Sequence, residues 1–508
     1  MRRIVAAFLM AAAVASPTSA QVGDPKAGEK PVWLAVTRPM FVEAVKPLAE
    51  RRANEGFETV VSTEPPGKAL AALKRRPAFV VIVGDDRPNS AEQPWFVGAR
   101  RMNLYRWEKT QAVTFASDMA WGDLDGDGVV DVPVSRLPVR TADELKRMIG
   151  KIAAWEDRAP SADDLAMSVW AGSPNYGPAV ESLATMLLMN TLRSSAPPWC
   201  QAWAIVCDPQ SPLCGWPDDQ PGLFERQVRK SGGFDFMIGH GSIGHFEGMA
   251  GGGYRSDAAD RAFTEGPPAA PLLVMACGCG DFSAEERCLT RAMVLAPGGP
   301  VAAIGATTDS HPLTNYFSGQ SFLKTLDASG ERRLGALWLA SERRAAKARA
   351  PLVELTLRDV EGSLEDPIDL VKLRRDQTLM YAILGDGATR LRQIEPLTVR
   401  LERAGNAWRW TATKPADATE LVVGLRTLDP LPVVPEGNPD RDLARKNFDA
   451  ANASFVFGPA AKLPAGADWA GAIAKEGTLR LVAIAPGKLY VAVRNLRKPP
   501  PEPPPGGP

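Results

Sequence analysis

From Pro31 onward, short unbroken apolar runs alternate with amphipathic stretches. Val32–Thr37, Phe57–Thr63 and Phe79–Asp86 are such runs, with helical patterns near Phe41–Asn54 and Lys68–Arg75 between them. Continuous rather than alternating apolar runs predict strands buried on both faces, and the stretches between them predict crossover helices. A further strand is expected at Val130–Ser135. Thr141-Ala-Asp-Glu144 then has the N-cap and the third-position Glu of a capping box, opening a helix to about Asp157. A second series starts at Ala166, with strands Met167–Gly172, Ala202–Val206, Phe234–Gly239, Leu272–Cys277 and Val301–Ala306. Helices are expected at Pro178–Leu192, Ala284–Leu295, Leu313–Leu326, Arg333–Ala348 and Pro367–Tyr381.

After Ile394 the texture changes to short alternating segments broken by Gly, Pro and Asp, among them Glu420–Leu428 and Lys488–Leu496. That pattern predicts an antiparallel β-sandwich over 395–496. The remaining 497–508 are nearly all Pro and Gly, the composition of a disordered tail. The fold class is therefore α/β: a parallel-sheet region in two subdomains, 21–160 and 161–394, followed by the sandwich.

The first twenty residues stand apart. Met1-Arg-Arg, the apolar run Ile4–Val14 and the small residues before Gln21 have the three regions of a secretory signal peptide. The run is too short to span a bilayer, which takes about 20 residues, and no Cys follows the expected cut. The expectation is an exported protein, secreted or periplasmic, with no transmembrane anchor. Lys+Arg and Asp+Glu both total 59, a formal net charge of zero. Nucleic acid and anionic membranes favour a basic excess, so neither is expected as a partner.

Six cysteines in an exported chain predict some disulfide use. Cys200, Cys207 and Cys214 lie close together in a Trp- and Pro-rich stretch where one bridge is expected, its pairing open. Cys288 is expected on a helix as a buried small apolar residue. The three histidines are His240, His245 and His311, too few for a His-rich metal site.

Two strands end in chemistry. Phe234–Gly239 leads into His240-Gly241, and Leu272–Ala276 leads into Cys277. In an open parallel sheet, the residues just past the carboxyl ends of the strands line the ligand crevice. A thiolate is the nucleophile and needs a base, and His240 has the side chain for it. The amides of Gly241 and Cys277 are the candidate oxyanion donors. Cys279, two residues on, points the same way in an extended segment and is a rival nucleophile. Gly239-His-Gly-Ser-Ile-Gly244 also fits a dinucleotide fingerprint, but no helical pattern follows it. Asp123, Asp125, Asp127 and Asp131 occupy positions 1, 3, 5 and 9 of a calcium loop with Gly128 at its turn, while Val134 stands at position 12. A structural Ca2+ is expected there, the alternative being an acidic turn closed by Asx hydrogen bonds. No cofactor is expected for catalysis.

Several segments together carry a family resemblance. They are Val83-Gly-Asp-Asp86; the acidic loop running from Asp123 to Arg136-Leu-Pro; His240-Gly after one apolar strand; Ala-Cys277-Gly-Cys-Gly-Asp-Phe282 after the next; and Leu384-Gly-Asp-Gly-Ala-Thr-Arg-Leu391. In these residues and their order the chain resembles the gingipain family of cysteine peptidases, within the caspase-like group. The resemblance implies a caspase/gingipain-like catalytic region, a following β-sandwich, and endopeptidase activity on proteins or peptides by a Cys–His dyad. Its alignment puts the nucleophile on Cys277. The chain departs from the family at Ser135, where Gly is commoner, at Gly387, where Pro is usual, and in having only Gln21–Pro31 where gingipains carry a long prodomain. The family's specificity-pocket residues have no match here, so its Arg or Lys preference is not carried over. From another class, the alternative is a non-hydrolytic binding or assembly protein attached to an envelope partner through the sandwich or the Pro-rich tail. A transpeptidase using the same acyl-enzyme is a third reading.

Overall fold

The apolar runs form one ten-stranded sheet. In chain order its strands are β1 (Val32–Val36), β2 (Glu58–Ser62), β3 (Pro77–Val83), β4 (Val134–Leu137), β5 (Ala166–Ala171), β6 (Gln201–Val206), β7 (Phe234–Ile238), β8 (Leu272–Met275), β9 (Ala303–Ala306) and β10 (Tyr381–Leu384). This computed structural model describes residues 28–105, 113–173, 195–249, 252–328, 330–358, 369–427 and 440–497. The expected signal segment, the helix expected at Pro178–Leu192 and the Pro-rich tail lie outside the described residues.

Across the sheet the order is β2-β1-β3-β4-β10-β9-β8-β7-β5-β6. The first five strands are mutually parallel, as are the last five, and the two halves meet antiparallel where Ala303–Ala306 pairs with Tyr381–Leu384. The carboxyl ends of the halves therefore face opposite ways. Burial on both faces explains the unbroken apolar runs: every residue of β1, β8 and β9 is buried.

Crossover helices cover the faces, and Ala142–Asp157 opens with the expected capping box of Thr141 and Glu144. Two of the expected elements begin late. The strand expected at Val130–Ser135 starts only at Val134, because the amides of Asp131 and Val132 bond to Gly122 and close the acidic loop instead. The helix expected from Ala284 begins at Leu289, with Cys288 at its N-cap and 99 % buried.

A second correction concerns the cysteines: all six are free thiols. The expected bridge among Cys200, Cys207 and Cys214 is absent, and the Cys207 and Cys214 sulfurs have other neighbours. Cys207 Sγ lies 3.4 Å from Trp170 Nε1 and 3.3 Å from Gln220 Oε1, and Cys214 Sγ lies 3.3 Å from Met249 Sδ. Burial pushes Cys207 up to about 11 and Cys200 and Cys214 up to about 12, so they remain protonated thiols.

The C-terminal region contains a five-stranded and a three-stranded sheet around a core that includes Trp410, Trp469, Leu421 and Leu481. It also holds a helix, Arg441–Ala453, that the strand-like texture around it hid. This helix covers the edge strand β6. The Asn452 amide donates to Ala204 O at 3.0 Å and accepts from Ala204 N at 2.8 Å, standing in for a neighbouring strand. Val482, Ile484, Leu489 and Val491 join the main core from the sandwich, so the two regions are packed together. Among the described residues no helix is long and apolar enough to cross a membrane.

Candidate active site

His240 and Cys277 are delivered by adjacent strands. β7 and β8 are parallel neighbours with Ile238 opposite Met275, and Gly239 N donates to Met275 O at 3.1 Å. His240 and Cys277 each stand two residues past that last pair, at the carboxyl edge of the second half-sheet. Both residues are partly exposed there.

The His240 loop is a hairpin, not the phosphate-binding turn that its glycine spacing imitates. Gly241–Ser242 pairs with His245–Phe246, and Glu247 N donates to His240 O at 3.0 Å. Alternation in an antiparallel ladder then places Gly241 in a non-hydrogen-bonded pair, its N–H turned away from the partner strand. Only glycine fits at this position. A Cβ on Gly241 would stand 2.7 Å from Cys279 Sγ and 3.0 Å from Ala276 Cβ.

Cys277 and Cys279 occupy different environments. Cys277 is the one partly exposed cysteine of the six. Cys279 is fully buried beneath the hairpin and donates to Ser242 O at 3.3 Å. Burial holds its thiol well above the usual range. Between them Gly278 turns the chain with φ +65°, and its N–H is already committed to Thr308 O at 3.0 Å. The short helix Leu289–Leu295 fastens both loops: Leu289 N donates to Ile243 O at 2.8 Å, and Thr290 donates twice to Cys279 O at 3.0 Å.

The other histidines stand elsewhere. His245 is on the hairpin, where burial and then Arg255 lower its basicity. His311 is 2 % exposed, and its Nδ1 accepts from Leu313 N, capping the helix Pro312–Ala328.

One group beside Cys277 was not singled out from the sequence. Ser310, past the end of the neighbouring strand β9, presents its carbonyl 3.7 Å and its hydroxyl 4.0 Å from Cys277 Sγ. Asn315 holds that hydroxyl at 2.8 Å, and Tyr381 and Gln377 hold Asn315 at 2.7 and 3.0 Å. The rule that nominated His240 and Cys277, residues just past the carboxyl ends of parallel strands, applies equally to the Thr307–Ser310 segment.

In the acidic loop, Asp123, Asp125 and Asp131 each offer an oxygen within 4.8 Å of the others. Asp127 is not in that group. Its carboxylate accepts from Val129 N at 2.8 Å. Asp123 and Asp125 also close turns onto the Gly126, Gly128 and Asp127 amides, and Arg76 pairs with Asp131 at 3.3 Å.

No curated protein matches the sequence. A solved protease covers 92 % of this chain and 97 % of its own at 14 % identity, with a TM-score of 0.54. The Arg-specific cysteine proteinase gingipain R is similar at 13 % identity and TM-score 0.51, with 93 % of this chain and 99 % of the other covered. The complex of the pro- and mature domains of Porphyromonas gingivalis RgpB gives 12 % identity and TM-score 0.50, covering 92 % and 100 %. At such identities the likeness establishes the fold. The sequence itself matches peptidase family C25 over residues 68–392, well over half its length, so the chain belongs to that family and is a cysteine-type peptidase.

Proposed function

We propose that this protein is an exported endopeptidase that cleaves peptide bonds through Cys277 and His240 by way of a thioester. The observation that supports it is the register of β7 and β8, which ends both strands at the same sheet edge two residues before His240 and Cys277, while burial withdraws Cys279. His240 takes the thiol proton, and the thiolate attacks the carbonyl carbon of the scissile bond. The Gly241 and Cys277 amides hold the oxyanion. On collapse the C–N bond breaks, and the amine leaves with the proton from His240. Water, deprotonated by His240, then hydrolyses the thioester and restores the thiol. Export is proposed from the amino-terminal pattern of residues 1–20.

The test is to incubate the protein from Gln21 onward with a complex peptide mixture under reducing conditions and read new termini by mass spectrometry. Cleavage after one residue type, lost on treatment with iodoacetamide and tracking with alkylation of Cys277, supports the assignment. Products joined through a new amide bond instead of ending in a free carboxylate would show a transpeptidase.

The proposal includes a structural Ca2+ at Asp123, Asp125 and Asp131, supported by their converging oxygens. The remaining ligands would be water or backbone carbonyls, since Val134 supplies none. Binding to the folded state at 100 times Kd contributes about 2.7 kcal/mol. A chelator is therefore expected to lower the melting temperature by several degrees, with recovery on adding calcium. An unchanged curve, or an Asp123→Asn variant that responds as the parent does, would remove the ion.

A further inference from the structure

A cavity of about 320 Å3 opens between the two halves of the catalytic region, lined by Arg87, Arg140, Arg147, Arg287, Arg291 and Glu144. Arg87 follows β3, Arg140 follows β4 and Arg147 lies on the helix Ala142–Asp157, whereas Arg287 and Arg291 come from the stretch after Cys277. Five guanidinium groups in one cavity repel one another unless anions separate them. The carboxylates they meet are few. Arg140 and Arg291 share Asp85, at 2.7 and 3.0 Å, and Arg287 pairs with Asp260 at 2.5 Å. Glu144 spends its carboxylate on the amides of Arg140 and Thr141. Asp85 lies behind the arginines, fully buried, and does not line the cavity. Counting Glu144, five cations face three carboxylates.

Two arginines mark the unsatisfied side. Arg291 is only 5 % exposed, yet its Nε–H has no hydrogen-bond partner. Burial, reinforced by Arg140 and Arg87, disfavours its charge, opposed mainly by Asp85 and to a lesser degree by Cys288. A buried guanidinium N–H left unbonded is costly unless something fills its place. Arg147, exposed on the helix, has no ion pair or hydrogen bond among the described residues.

We infer that this cavity is a binding site for a phosphoryl group, free or carried on a small phosphorylated molecule. Arginine forks match the oxygen edge of such a group two bonds at a time, and its double negative charge equals the local surplus of cations. The cavity is at the lower end of the size range of small-molecule sites, roomier than one phosphate alone needs. An occupant would join the halves of the sheet through Arg87 and Arg140 on one side and Arg287 and Arg291 on the other. Arg291 lies on the same helix that fastens the His240 hairpin and the Cys279 carbonyl, so occupancy would steady the segment next to the catalytic loops. This site is independent of the assignment of Cys277.

The probes are inorganic phosphate and phosphoserine, titrated against the melting temperature of the full chain in buffers matched to the same ionic strength with sodium chloride. A saturable rise with either probe is expected, and the tighter of the two tells a free anion from a phosphomonoester. In Arg147→Glu, a surface change that leaves the fold intact, the half-saturating concentration should rise at least about tenfold; Arg87→Gln, at the opposite wall, should weaken binding in the same direction. Equal rises in sodium chloride, equal affinities in parent and both variants, or no saturable rise with either probe would each overturn the site.

Discussion

Cys277→Ala is expected to lower peptide-bond cleavage by a factor on the order of 10,000 or more while leaving the melting temperature nearly unchanged. The side chain is partly exposed at the rim of the sheet, so its removal leaves no cavity in the core. His240→Ala should cost a similar factor, because the thiol has then lost its base. The double variant should be no worse than either single one, since groups acting in one step do not add. Cys279→Ala is the discriminating control. Its sulfur is buried beneath the hairpin and donates to Ser242 O and His245 O, so truncation should reduce stability more than it reduces turnover. Initial rates on the best peptide from the cleavage screen, with melting curves alongside, decide the matter. The reverse pattern, an active Cys277→Ala and an inactive but folded Cys279→Ala, would move the nucleophile to Cys279.

The placement of the candidate site was legible because it depends on strand ends. Phe234–Ile238, apolar but for Asp235, and Leu272–Met275 are short strands that give way to glycine within one to three residues, and as parallel neighbours they end at the same edge of the sheet. The choice between Cys277 and Cys279 was not legible in the residues themselves. It depends on whether the chain stays extended, and Gly278 at φ +65° turns it so that one thiol faces out and the other in. Ser310 was missed because its contact with Cys277 crosses to another strand end and arises from the turn before the helix Pro312–Ala328. Strand β10 was hidden for a related reason. Tyr381–Leu384 follows directly on the helix Leu370–Met380, without a Gly or Pro to divide the two periods. That strand is where the half-sheets join, so the antiparallel seam could not be read from local pattern. Asp235, in the middle of an apolar strand, shows the limit of pattern from the other side. Burial raises its carboxyl to about 8 against Ser168, so at neutral pH it sits in the core largely uncharged.

Asp118→Ala is expected to be among the most damaging substitutions away from the catalytic loops. Arg136 of β4 and Asp118 are 0 % and 2 % exposed and joined by two bonds of 2.6 and 2.7 Å. The same guanidinium donates to Gly84 O and Val97 O at 3.0 and 2.9 Å and lies 4.6 Å from the centre of the Phe282 ring. Phe282 ends the segment that begins at Cys277, so Arg136 links the first half-sheet to the loop that carries Cys277. Arginine stays charged when buried. Removing Asp118 therefore leaves a buried cation without its paired carboxylate, with only the more distant Asp86 and Asp85 to offset it, a loss of about 3–5 kcal/mol, against a total stability of about 5–15 kcal/mol for a domain. The apparent melting temperature should fall by about 10 °C or more, with poor recovery of folded protein. Arg136→Met should be milder in the core, because no charge is stranded there except the Asp118 carboxyl, which can take up a proton. It should nevertheless slow cleavage, since Phe282 loses the cation against its ring and the loop its tie to β4. A shift of less than about 2 °C in Asp118→Ala would mean that water or another side chain takes over the arginine, and the link from β4 to the Cys277 loop would lose its energetic basis.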